Sequence, residues 1–184
     1  MKFEILNLKF KVEKTIPFIG IILLAVITRL LPHPPNFVPI GALAIFSGAK
    51  INDKRAFLLP LLAMFFSDFI LGFHSTLIYV YASFFLMVLV GRSIKNKQNY
   101  KTIFAASLFS SLLFFIITNF GVWLSFNMYP KNINGFIQCY FMAIPFFRNT
   151  LLGDLFYTFS FFYGYQYSVM IVAWWQKTLR RLTA

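Results

Sequence analysis

Apolar residues in this chain come in long runs, and short polar or basic clusters separate them. A helix needs ~20 mostly apolar residues to cross a bilayer, with a range of about 17–25. Five runs are read as spans on this basis: 16–32, 56–72, 77–91, 102–126 and 151–175. A sixth run, 37–49, is short and lies between Pro34-Pro35 and the basic cluster Lys50, Lys54 and Arg55. Between the fifth and last spans, 127–150 reads as a long outer loop. Within it, 135–147 is too short to span and too apolar for a free loop, which predicts an interfacial or re-entrant segment.

Charge decides whether the short run crosses. If all six runs cross and the N-terminus is inside, the cytoplasmic segments hold Lys2, Lys9, Lys11, Lys14, Lys50, Lys54, Arg55, Arg92, Lys95, Lys97, Lys101, Lys177, Arg180 and Arg181. Only Arg29, Lys131 and Arg148 then lie outside, a split of 14 to 3 among the 17 basic residues. Were 37–49 to stay on one side, every later cluster would change sides and the asymmetry would vanish. The positive-inside rule therefore favours six spans with both termini in the cytoplasm. The expected fold is an all-α integral membrane protein of about six transmembrane helices, one domain over 1–184, in the cell membrane.

Composition agrees. The 184 residues are 59% hydrophobic and 21% aromatic, with 26 Phe, and only 12% are charged, roughly half the usual share for a soluble domain. The net charge of +12 would suggest nucleic acid in a soluble protein, but here the basic clusters serve as topology signals and no nucleic-acid partner is expected. Cys139 is the sole cysteine, so no internal disulfide and no Cys-based zinc cage can form. The basic N-terminus and the run from Ile16 resemble a signal peptide, yet the run ends in Leu-Pro-His-Pro-Pro without a small-residue cleavage site and is read as a retained first helix. Phosphate-binding Gly-rich loops, H-E-x-x-H and G-x-S-x-G are all absent from the sequence, so no cofactor, metal or catalytic residue is expected.

The informative polar residues gather towards the outer ends of the runs. Arg29, Asp68 and Asp154 each lie about a turn from such an end, Asn119 lies about two turns in with Trp123 above it, and His33 and His74 occupy the two short outer loops. At a rise of ~1.5 Å per residue they fall within about 10 Å of one level. Ionisable groups at that depth usually face a wet cavity or one another. An ion pair, Arg29 with Asp68 or Arg148 with Asp154, could equally be a staple between helices. Two histidines without a carboxylate motif fall short of a zinc site. Tyr79, Tyr81, Tyr157, Tyr163, Tyr165 and Tyr167 could line a pocket for a planar ligand or simply pack. Ala44-x-x-x-Gly48, Ala106-x-x-x-Ser110 and Ser107-x-x-x-Ser111 permit close helix approach, within the bundle or against a partner.

Four stretches carry a resemblance: RLLPHPPNFVPIGALAIFSGA (29–49), SDFILGFH (67–74), TNFGVWLSFNMYP (118–130) and GFIQCYFMAIPFFRNTLLGDLFYT (135–158). Together they look like an uncharacterised family of bacterial transport proteins, similar in size and layout to the S components of energy-coupling factor transporters. The resemblance implies an S-component-like bundle in the inner membrane of a bacterium. Such proteins capture a vitamin or related micronutrient on the outer side, then topple against a transmembrane T component driven by two ATPase subunits. It also implies that the first outer loop, 33–36, and the long fifth loop close over the substrate. One departure stands out: S components often carry Ala-x-x-x-Ala in the first helix for docking, whereas Gly20 and Ala25 have the wrong spacing.

The expectation is a membrane-embedded protein that binds a small vitamin-like solute for uptake, with Arg29, His33, Asn36, Asp68, His74, Asn119, Trp123 and Asp154 lining the site. Its partners would be that solute, the lipid bilayer and a T component with its ATPase subunits. The alternatives are a membrane enzyme using His33, His74 and Asp68 near the outer interface, and an assembly subunit of a larger membrane complex.

Overall fold

The computed structural model describes residues 20–182, apart from the side chains of 176, 177 and 179–182. The predicted helix start at 16 and the cluster Lys2, Lys9, Lys11 and Lys14 lie outside the described residues. The described chain is all-α: α1 (Gly20–Leu30), α2 (Ile40–Lys50), α3 (Arg55–Leu71), α4 (Leu77–Ser93), α5 (Tyr100–Ser125) and α6 (Ile133–Leu182). We call the end where α1, α3 and α5 finish the upper end, and the opposite end the lower.

Local chemistry sets these boundaries. Pro32, Pro34 and Pro35 follow α1, and a proline cannot extend a helix. Pro39 sits at the N-cap of α2, and its carbonyl accepts from Leu43 N–H at 2.8 Å. Gly72 ends α3 with φ +98°, a conformation that side chains disfavour. Asn99 and Thr102 open α5 with a reciprocal capping box. Asn132 opens α6, its Oδ1 accepting from Gly135 N–H at 2.9 Å.

The core is built on α2. Its residues Ile40 to Ala49 are all buried, and it packs against α3, α4, α5 and α6. At 11 residues it is only about 16 Å long. Glycines bring α2 and α4 to backbone contact: a Cβ on Gly48 would lie 2.1 Å from the Val88 carbonyl oxygen, and one on Gly91 would lie 2.1 Å from that of Ile45. The small residues at Ala44 and Gly48 thus serve packing inside the bundle. Phe46 fills the opposite side of α2 with edge contacts to Phe161, Phe162 and Tyr165 of α6.

The elements depart from the expected spans at two places. The run 37–49 becomes helical only from Ile40, leaving 31–39 irregular above α2. The expected loop 127–150 shrinks to 126–132, because α6 begins at Ile133 and continues unbroken for 50 residues, about 75 Å. The apolar stretch 135–147 is therefore neither a loop nor a re-entrant segment; it runs antiparallel along α5. Phe136 meets Trp123, and Phe115 meets both Tyr140 and Phe147. The Tyr140 hydroxyl donates to the Ile116 carbonyl at 2.7 Å. Pro145 is accommodated inside the helix. It removes one backbone hydrogen bond there, in a segment that the ring contacts hold against α5.

Burial in this chain runs against the usual pattern. Asp68, Asp154, Ser47, Ser67, Ser83, Ser107, Ser110, Ser111 and Thr158 are buried, while exposed large apolar side chains outnumber the buried ones. Phe69, Ile78, Ile133 and Phe141 are each about two-thirds exposed or more. Among the described residues, α5 is the one helix long and apolar enough to cross a membrane, and only 28% of its most apolar 18-residue window is buried.

Candidate functional site

The upper half of the bundle holds a partly open cavity of about 430 Å³. Segment 31–39, being irregular, fails to fill the space above α2, and α1, α3, α4, α5 and α6 wall that space. The wall is aromatic on one side, with Phe84, Phe114, Phe115, Phe146 and Phe147. Polar groups converge from the rest: Arg29, His33, Asn36, His74, Thr118, Asn119 and Thr150. This combination of an apolar wall and a few placed polar groups is usual for a small-molecule site, and the volume falls in the usual range.

The guanidinium of Arg29 is held by α3. Its Nη2 lies 2.7 Å from Asp68 Oδ1, and its Nη1 reaches Ser67 Oγ and, at 3.3 Å, the Met64 carbonyl. The Tyr81 hydroxyl donates to Asp68 Oδ2 at 3.2 Å. Asp68 is buried and Arg29 is 13% exposed, so the pair is largely removed from water and only the arginine touches the cavity. The staple expected of Arg29 and Asp68 is thus formed, and it presents one edge of the guanidinium to the space.

The two histidines are tied to their own segments. His33 Nδ1 lies 2.9 Å from the Pro34 carbonyl and its Nε2 lies 3.2 Å from that of Arg29. Both partners can only accept, and a neutral imidazole donates from one nitrogen alone. His74 Nδ1 contacts Thr76 Oγ1 at 3.0 Å. Asn36 has φ +63°, in the left-handed region that asparagine tolerates. Segment 31–39 is latched to α6 by Asn149, whose Nδ2 donates to the Pro35 carbonyl at 3.0 Å. Asn119 donates to the Phe115 carbonyl at 2.8 Å and lines the cavity.

Five of the eight expected site residues therefore meet around one cavity: Arg29, His33, Asn36, His74 and Asn119. Asp68 stands behind Arg29. Trp123 faces away; its Nε1 donates to the Pro130 carbonyl at 3.0 Å, and its ring packs on Phe120 and Phe136. Lys131 covers the same ring and caps the α5 carbonyls of Trp123 and Leu124. Asp154 lies below the cavity, beside a void of about 30 Å³. Arg148 is exposed and forms no ion pair with it. Tyr81 reaches Asp68, but none of Tyr79, Tyr157, Tyr163, Tyr165 and Tyr167 lines the cavity. The Phe wall and Thr118 and Thr150 were not singled out in the sequence, where they look like any other residues of apolar runs.

Residues 10–175 match DUF6580, a family of unknown function. The chain belongs to this family. No match was found among curated proteins or among solved structures. No group of three or more His, Cys, Asp or Glu able to hold a metal occurs among the described residues.

Proposed function

We propose that this chain is a multi-pass protein of the bacterial cell membrane that binds a small, vitamin-like solute in the upper cavity for uptake. The observation that carries the reading is a cavity of about 430 Å³ with converging polar groups, set in a body whose exterior is apolar. A protein that hides serines and aspartates and exposes phenylalanines has lipid as its natural surroundings.

The exterior and the charge pattern together support six spans. The lower turns and helix ends carry Lys50, Lys54, Arg55, Arg92, Lys95, Lys97 and Lys101, which favours the lower end as cytoplasmic. At the upper end, Arg29 is engaged by Asp68 and Lys131 by the end of α5, so neither is a free topology signal. The short α2 and the 17-residue α3 and α4 are compatible with crossing when irregular segments such as 31–39 complete the path inside protein.

The cavity offers an arginine edge, two imidazoles and amide groups against an aromatic wall, and neither nearby carboxylate lines it: Asp68 is paired with Arg29, and Asp154 lies below. It suits a neutral or anionic solute with a flat apolar part. Binding and reorientation suffice, without covalent chemistry; the histidines face their own carbonyls and threonine, and Asp68 does not reach them. The likeness to S components extends the reading to a T component with ATPase subunits as partner. The test is mass spectrometry of the protein purified in mild detergent. One small molecule should co-purify and should be lost in Asn119→Leu and Phe147→Ala. Recovery of nothing, together with no stabilisation of the protein by any compound of a micronutrient panel, would overturn the reading.

A further inference from the structure

Among the described residues, Asp154 is the one carboxylate without a cationic partner. It lies on α6, 3% exposed, and its Oδ2 accepts from Ser111 Oγ of α5 at 2.7 Å. Its Oδ1 lies against the first turn of α2, where a Cβ on Gly41 would come within 2.3 Å of it. Gly41 therefore makes the room, and the carboxylate sits beside a helix start, where backbone amides carry a partial positive charge. No charged side chain faces the group from the elements around it. Lys50 of α2, Arg92 of α4 and Lys101 of α5 sit at the lower ends of their helices, and Arg148 of α6 is exposed. Across the cavity Arg29 is held by Asp68. The other residues lining the void beside it, among them Asn36 of segment 31–39, Met87 of α4 and Thr150 of α6, are all neutral.

One turn below, α5 and α6 place two more oxygens in register. Ser107 precedes Ser111 by four residues and Thr158 follows Asp154 by four, so in an antiparallel pair they share the next level. Ser107 Oγ, Thr158 Oγ1 and the neighbouring Ser110 Oγ are fully buried and make no hydrogen bond with any described group. Buried hydroxyls left in this way are costly. Above, the void of about 30 Å³ beside Asp154 holds about one water and shares Asn36, Val38, Phe84, Phe114 and Thr150 with the large cavity. The solute cavity and the space beside the carboxylate are thus neighbours with walls in common.

We propose that Asp154, with the hydroxyls of Ser111, Ser107 and Thr158, binds one monovalent cation, a proton or a sodium ion, that enters from the solute cavity and is coupled to its occupancy. An all-oxygen set around one carboxylate suits either cation and disfavours transition metals. With the cation bound, the site is neutral and compatible with its apolar surroundings. With the cation gone, the carboxylate is held by Ser111 and the start of α2. The coupling to solute rests on the function proposed above, whereas the cation site itself does not.

The test uses the full chain in detergent, with no solute required. Thermal midpoints are measured in sodium chloride against choline chloride at equal ionic strength, over a series of pH values, alongside the infrared band of protonated carboxyl. A sodium site predicts stabilisation by sodium over choline that Asp154→Asn abolishes and whose midpoint Thr158→Val raises about tenfold, the loss expected for one oxygen contact to a charge. A proton site predicts no sodium effect, with a carboxyl band that grows as pH falls and is missing from Asp154→Asn. If Asp154→Asn does not fold, Ser111→Ala decides, since it must shift the same sodium midpoint or the same band. Sodium and pH responses that are absent, or unchanged in these variants, would overturn the proposal. Failure to find a co-purifying solute would leave the cation result standing.

Discussion

Asp68 commits both carboxylate oxygens to protein, one to Arg29 and the other to Tyr81. A buried pair of this kind responds asymmetrically to mutation. Removing one partner strands the other charge, at a cost of roughly 3–5 kcal/mol, whereas replacing both can be nearly neutral for folding. Asp68→Asn or Arg29→Gln alone should therefore lower the melting temperature sharply, and the double variant should recover most of the loss. Solute retention separates the roles. Because only Arg29 touches the cavity, the recovered double variant should still fail to hold solute. Additive melting-temperature losses would show that the two side chains are not coupled. This pair was legible in the sequence because ionisable residues inside apolar runs are rare and have few possible partners. Trp123 was misplaced for a physical reason: depth along a helix is readable from residue count, but the direction a ring faces depends on its neighbours, here Lys131 and Phe136.

At the scale of elements, the contacts that fix α2 are made by absence of side chain. Gly91→Ala should drive a methyl into the Ile45 carbonyl, which cannot yield without moving α2, and cost about 1–3 kcal/mol. Gly164→Ala, on α6 with nothing within 4 Å, should leave stability unchanged or slightly raise it. Thermal unfolding of the two variants side by side checks this, and equal midpoints would refute the close α2–α4 packing. The helices themselves were largely readable, since α3, α4 and α5 fall within two residues of the apolar runs that predicted them. Two boundaries were not. Hydropathy could not distinguish the irregular 37–39 from α2, as both are apolar. Nor could it show that Pro145, Arg148 and Asn149 continue a helix. Their backbone is held by packing on α5 and by the latch from Asn149 to Pro35, contacts between residues far apart in sequence.

For the whole molecule, orientation is the property to test first. The upper turn 126–132 and the lower turn 94–99 lie at opposite ends of α5. Asn127→Cys should react with a membrane-impermeant thiol reagent applied to intact cells, and Asn96→Cys should react only after permeabilisation. The native Cys139 is buried and gives little background. Reaction of Asn96→Cys from outside would reject the six-span arrangement.

The shortness of α2 has an electrical consequence. The cavity is partly open, so in the membrane arrangement proposed above its water would carry the potential of one aqueous side down to the start of α2. What insulates the two compartments is then the layer around α2, about 16 Å thick, in place of the whole hydrocarbon slab. A resting potential of 100 mV, worth ~2.3 kcal/mol per elementary charge, would fall almost entirely across that layer, doubling the field in it. Asp154 stands at its upper face, where one bound charge would feel nearly the full voltage on its way down.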